Sequence, residues 1–252
     1  LKEIIPPSLL QKYLLDSAMR LILLTLLSLL PALPAVAQGK RTCRILFLEA
    51  PENAPRTLHL FDGTNTLEVE LPRMNFSPTY PISSSATAVA LLPAPPADPA
   101  AIPAGAPTVR LAETVTDFYL ILSHDPANAI APVRIQLIDA NPARFRTGQM
   151  LWFNLTPNSV GGTLGSQKLN LAANSRAIID APANSAEDYH VNLAYRIPEN
   201  PNLYPLCETK WLHDPRSRSV YFIFNTPGVR TPRILGFHDF RQPEKPAANP
   251  AP

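Results

Sequence analysis

Leu67-Glu68-Val69-Glu70-Leu71 alternates three aliphatic side chains with two carboxylates. Successive side chains of an extended chain point to opposite faces, so this segment predicts a strand with one buried and one solvated face. Working outward from it, short runs of strand-like composition recur, and none is replaced by sustained apolar spacing at i, i+3, i+4 and i+7. Residues 44–48, 57–61, 66–71, 87–92, 117–123 and 133–138 form a first series. Residues 149–155, 167–171, 176–179, 191–197, 208–212 and 219–224 form a second.

Composition agrees with this reading. The chain has 30 prolines but only 9 glycines, and proline interrupts helices and central strands, which favours short strands joined by stiff loops. At 252 residues, two domains of ordinary size fit. The expectation is an all-β protein of two tandem immunoglobulin-like antiparallel sandwiches, with one larger sandwich as the competing picture.

Ahead of the strands, Met19 to Ala37 reads MRLILLTLLSLLPALPAVA: Arg20, an apolar run from Leu21 to Leu30, then Pro31, Pro34 and the small-x-small triplet Ala35-Val36-Ala37. That is the layout of a secretory signal peptide, with a mature start near Gln38. The run is about half the roughly 20 residues a membrane span needs, so no stable span is expected after cleavage. Periplasmic or secreted localisation follows. Residues 1–18 read as an upstream extension outside the fold. Residues 41–140 form the expected first sandwich, with a Pro/Ala-rich loop at 93–107, and residues 144–240 the second. A disordered tail is expected at 241–252. The boundary falls at Asn141-Pro142-Ala143, where Asp139, Asn141 and Pro142 disfavour a continuing strand.

Removing residues 1–37 takes three basic and two acidic residues from totals of 22 and 20, which leaves 19 and 18, a net charge of +1. A near-neutral protein lacks the basic face that nucleic acid requires, so no nucleic-acid partner is expected.

The halves resemble copies of one unit. Leu46 to Pro93 and Leu151 to Pro198 are both 47 residues apart, and each proline follows an apolar strand end. Each unit also carries a His-Asp-Pro, at residues 124–126 and 213–215, although the distance from the preceding proline differs by 16. The excess lies in the stiff stretch PAPPADPAAIPAGAP. With RILFLEAPENAP leading into LHLFDGTNTLEVELP, this exported, proline-punctuated tandem resembles uncharacterised secreted bacterial proteins built from immunoglobulin-like modules. The resemblance rests on pattern over Arg44 to Phe240 and implies a fold but no functional residues.

Candidate chemistry is sparse. His124-Asp125, His213-Asp214 and His238-Asp239 pair imidazole with carboxylate, which could ligate a metal or act as an acid/base pair. Two of the three, however, are His-Asp-Pro at a strand end, and adjacent residues on a strand face opposite ways, so turns are the better reading and no metal site is expected. Gly161-Gly162-Thr163-Leu164-Gly165 has no helix behind it to cradle phosphate and reads as a hairpin turn. No catalytic residue and no cofactor motif is assigned. Asn154-Leu155-Thr156 matches a glycosylation sequon but reads as strand. Cys43 and Cys207 either pair across the two units or are separately buried small side chains. The most suggestive surface is the hairpin carrying Trp211, His213, Arg216 and Arg218, with Lys210 beside it and Arg230 and Arg233 following, which could grip a carboxylate, a sulfate or a sugar acid.

Two functional classes follow. One is an exported non-enzymatic envelope or surface protein that acts as a spacer or docks an envelope protein or a cell-wall or extracellular polymer. The alternative is a secreted carbohydrate-active or other hydrolase module, whose first groups to inspect are Glu68, Glu70, Asp125 and Asp214.

Overall fold

The computed structural model describes residues 41–98 and 102–240. The upstream extension, the signal segment and the tail expected at 241–252 lie outside the described residues. Those described form sixteen strands and no helix, so among the described residues no helix is long and apolar enough to cross a membrane. The first half contains β1 (Arg41–Phe47), β2 (Thr57–Phe61), β3 (Thr66–Glu70), β4 (Tyr80–Ile82), β5 (Ala88–Leu92), β6 (Thr108–Arg110), β7 (Asp117–His124) and β8 (Val133–Asp139). The second contains β9 (Met150–Asn154), β10 (Ser159–Leu164), β11 (Gln167–Leu171), β12 (Arg176–Ile179), β13 (Asp188–Arg196), β14 (Tyr204–Leu212), β15 (Ser217–Phe224) and β16 (Arg233–Phe240).

The sheet orders are β4-β1-β7-β8 with β3-β2-β5-β6, then β12-β9-β15-β16 with β11-β10-β13-β14. Adding eight to each strand number of the first half yields the second, which is the internal repeat that the 47-residue spacing points to. Pro93 and Pro198 follow the equivalent strands β5 and β13. The His-Asp-Pro tripeptides are not equivalent: the first begins on His124, the last residue of β7, and the second follows β14, the counterpart of β6. One pair in each half departs from the antiparallel rule, because β1 runs parallel to β7 and β9 parallel to β15.

The sheets stack four deep around three cores. Ile45, Leu120 and Leu122 face β2, β3 and β5 across the first core, which also holds Leu58, Leu60, Val69 and Leu91. Trp152, Tyr221 and Ile223 face Val160, Leu169, Val191 and Leu193 across the third. Between them, Leu46, Tyr119 and Ile121 on the first half meet Leu151, Phe153, Val220, Phe222 and Phe237 on the second. The described residues, 41–98 and 102–240, accordingly belong to one compact unit. Strands buried on both faces lose the polar alternation of Leu67–Leu71 and become continuous apolar runs. Phe118-Tyr119-Leu120-Ile121-Leu122 and Val220-Tyr221-Phe222-Ile223-Phe224 show this, and all ten residues are buried.

The connector belongs to the middle core rather than to a hinge. Phe145 is fully buried there, and Arg218 donates to the carbonyls of Ala140 and Phe145. Around them lies a buried ionic cluster. Asp239, with no exposed surface, accepts hydrogen bonds from Arg44, Arg218 and the Tyr119 hydroxyl, while Arg218 also pairs with Asp117 at 3.3 Å. The cluster joins β1 and β7 to β15 and β16.

Four strands escape the sequence reading: β4, β6, β10 and β16. The first two are only three residues long. In β10, Gly161 and Gly162 lie within the strand instead of forming the expected turn. A Cβ at Gly162, whose φ is +151°, would lie 2.0 Å from the Asn192 carbonyl oxygen, so the missing side chain permits close approach of β13. The turn comes later, at Gly165 with φ +58°. Both cysteines are thiols: Cys43 is buried in the first core and Cys207 packs against the third, so no disulfide staples the halves.

Candidate functional site

The halves share a topology but differ at one edge. Strands β8 and β16 occupy the same place, each ending its sheet beside the long hairpin partner β7 or β15. Along β8, Val133, Ile135 and Leu137 turn inward and pack on the first core. Along β16 the corresponding row is Ile234, Gly236 and His238, set opposite Ile223, Tyr221 and Ser219. Aliphatic fill in the first half is thus replaced by a hydrogen atom and an imidazole in the second.

The result is a groove of about 410 Å³ between edge strands β14 and β16, lined by Lys210, Trp211, Leu212, Tyr221, Ile234, Gly236 and His238. Its aromatic wall is fixed by register. Trp152 and Tyr221 are direct partners across the β9–β15 pair and stack with centroids 4.4 Å apart. Trp211 arrives from the opposite sheet and stacks on Tyr221 at 5.1 Å, with an interplanar angle of 10°. The Tyr189 ring meets Trp211 edge-on at 6.4 Å. Such parallel and edge contacts add roughly 0.5–1.5 kcal/mol each beyond simple burial. Gly236 makes room for this wall, since a Cβ there would fall 2.5 Å from Tyr221 Cε1. His238 is steadied by a 3.0 Å hydrogen bond between its Nδ1 and the Ser219 hydroxyl. Burial pushes the Tyr221 phenol above its ordinary range, so it stays neutral.

The expected hairpin is a crossing between sheets, since β14 and β15 belong to opposite sheets, and the structure does not gather its four residues. Trp211 lines the groove. His213 is buried behind the β14–β15 turn with its Nε2 meeting no partner, and desolvation lowers its pKa despite the opposing Asp214 and Glu187 carboxylates. Arg216 is exposed and grips Asp214 through two bonds of 3.0 and 2.8 Å, which hold that carboxyl at about 2. Arg218 is 2% exposed and committed to the ionic cluster, so it is not a surface ligand-binding group. The physical reason is alternation on β15, which turns Arg218 into the middle core beside Val220. Arg233 lies over the Phe224 ring at 6.0 Å, and Arg230 is exposed in the preceding loop.

His238-Asp239 shows why adjacent residues do not share a site: His238 faces the groove and Asp239 the middle core. The chain turns at both His-Asp-Pro sequences, but only one aspartate side chain organises its turn: Arg216 N–H donates to the Asp214 carboxylate, whereas Asn128 N–H donates to the Asp125 main-chain carbonyl. Glu68 and Glu70 sit on edge strand β3, Asp125 pairs with Arg134 at 3.4 Å and Asp214 pairs with Arg216 in the other half. Among the described residues no three His, Cys, Asp or Glu side chains converge to hold a metal. Asn154 is fully buried, its amide donating to the carbonyls of Asn158 and Ala172.

Sequence reasoning named Trp211 and Lys210, took His238 only as the neighbour of Asp239, and missed Tyr221 and Gly236. The available signal is the break in apolar alternation at Ile234-Leu235-Gly236-Phe237-His238, and it carries meaning only beside β8. Comparison with known proteins finds no family model that matches the chain and no similar curated protein. The fold and groove define the chain as a duplicated, four-layer β-sandwich protein with one open aromatic edge.

Proposed function

We propose that this protein is an exported, non-enzymatic component of the bacterial envelope or cell surface that holds a polymer or protein partner in the β14–β16 groove. The observation that carries the reading is the asymmetry between equivalent edges: one is filled with aliphatic side chains, the other left open over stacked aromatic rings. A groove of this size falls within the 300–1,000 Å³ common for ligand sites, and aromatic walls with a few polar groups are their usual lining. The signal-like segment at 19–37 supports export. The tandem two-sheet sandwiches support kinship with secreted immunoglobulin-like modules. The shared middle core makes the remainder a stiff frame for the groove.

The test is capture from bacterial envelope extracts by the immobilised mature protein, with Trp211→Ala and His238→Ala run beside it after circular dichroism shows that each is folded. Retained material that falls in both variants is the expected result. Equal retention by all three proteins, or recovery of the protein alone, refutes the reading.

A further inference from the structure

We infer that the β14–β16 groove takes a pyranose ring of a glycan chain, stacked on the aromatic wall at Trp211; this rests on the groove being the binding site. A pyranose has one weakly polarised C–H face and a rim of hydroxyls, so it needs a flat electron-rich surface bordered by hydrogen-bonding groups. Trp211 is half-buried, backed on Tyr221 with the rings nearly parallel, and therefore presents a pre-set surface with little rotational freedom to lose. The border is polar in the required way. Lys210 offers three donors, and His238 offers an imidazole oriented by Ser219. The free edges of β14 and β16 add backbone donors and acceptors, since both strands end their sheets.

Other occupants fit less well. A purely apolar ligand would desolvate Lys210 and His238 without compensation. A peptide adding a strand needs a flat, regular edge, whereas β14 carries Pro205, Glu208 and Lys210 and a register shift opposite Leu193/Ala194. No carboxylate lines the groove and Lys210 contributes a positive charge, so neutral and acidic sugars share the same stacking chemistry.

Isothermal titration of the mature protein with xylohexaose, chitohexaose and tetragalacturonate tests the assignment. At least one glycan is expected to bind with millimolar or better affinity. Trp211→Ala should weaken that binding about tenfold, while Trp211→Phe, which keeps an aromatic face, retains most of it. His238→Ala provides a second, exposed substitution that should also weaken binding. Binding unchanged in folded Trp211→Ala overturns the inference, as does the absence of binding by all three glycans. If no glycan binds but capture from envelope extracts still depends on Trp211 and His238, the saccharide assignment falls and the groove remains the binding site. If extract capture is also independent of both residues, the groove reading falls with it.

Discussion

Asp239→Asn should loosen the junction between the two halves while leaving every core side chain in place. The carboxylate has no exposed surface and serves three donors, from Arg44 on β1, Tyr119 on β7 and Arg218 on β15. Neutralising it leaves Arg218 with Asp117 at 3.3 Å as its remaining ionic partner, and leaves Arg44, whose side chain is 14% exposed, without the carboxylate beside it. Breaking a buried pair from one side costs about 3–5 kcal/mol, and the asparagine oxygen can still accept from Tyr119, so the expected loss is at the lower end, about 3 kcal/mol. For a folded unit of this size that corresponds to a fall in Tm of roughly 10 °C. Urea unfolding followed by circular dichroism reports both halves, whereas fluorescence reports the second, because both tryptophans, Trp152 and Trp211, lie there. The two probes should coincide in the native protein, and the midpoint should fall in the variant with an unchanged slope. A loss smaller than about 1 kcal/mol, or separate transitions in the native protein, would refute the view that this cluster and the middle core bind the halves into one unit. A double-mutant cycle with Arg44→Met isolates the pair's own coupling.

His213 supplies a pH dependence. Burial lowers its folded pKa below the ordinary 6.5, so the unfolded chain binds the proton first as pH falls. Its contribution is fully present above that value and declines as pH drops from 6.5 toward the lowered folded pKa; His213→Gln should flatten the stability profile in this window, and an unaltered slope would count against the mechanism. Gly162→Ala should cost about 2 kcal/mol or more by urea melting, because its methyl would overlap the Asn192 carbonyl, and a neutral result would contradict the close β10–β13 approach. Ellman reagent should count two thiols in the denatured, unreduced protein and react slowly with the native one, since Cys43 is buried and burial raises the Cys207 pKa. Fewer than two thiols after denaturation would contradict the structure.

Alternation in Leu67–Leu71, proline punctuation and the His-Asp-Pro turns are local properties, so the residues themselves specified short strands, their turns and an all-β fold. The 47-residue spacing likewise carried the repeat, because equivalent β1–β5 segments kept their length. Only the tertiary structure decided what covers the second face of β1, β7, β9 and β15, since an apolar run such as Phe118–Leu122 records that both faces are buried but not what lies against them. That choice turned Arg218 from an apparent surface cation into the partner of Asp239. It also set Gly236 and His238 where the first half has Ile135 and Leu137, and the groove exists through that difference. Burial on a second face and equivalence between distant strands are relations among residues far apart in the chain, and they become physical only when the sheets stack.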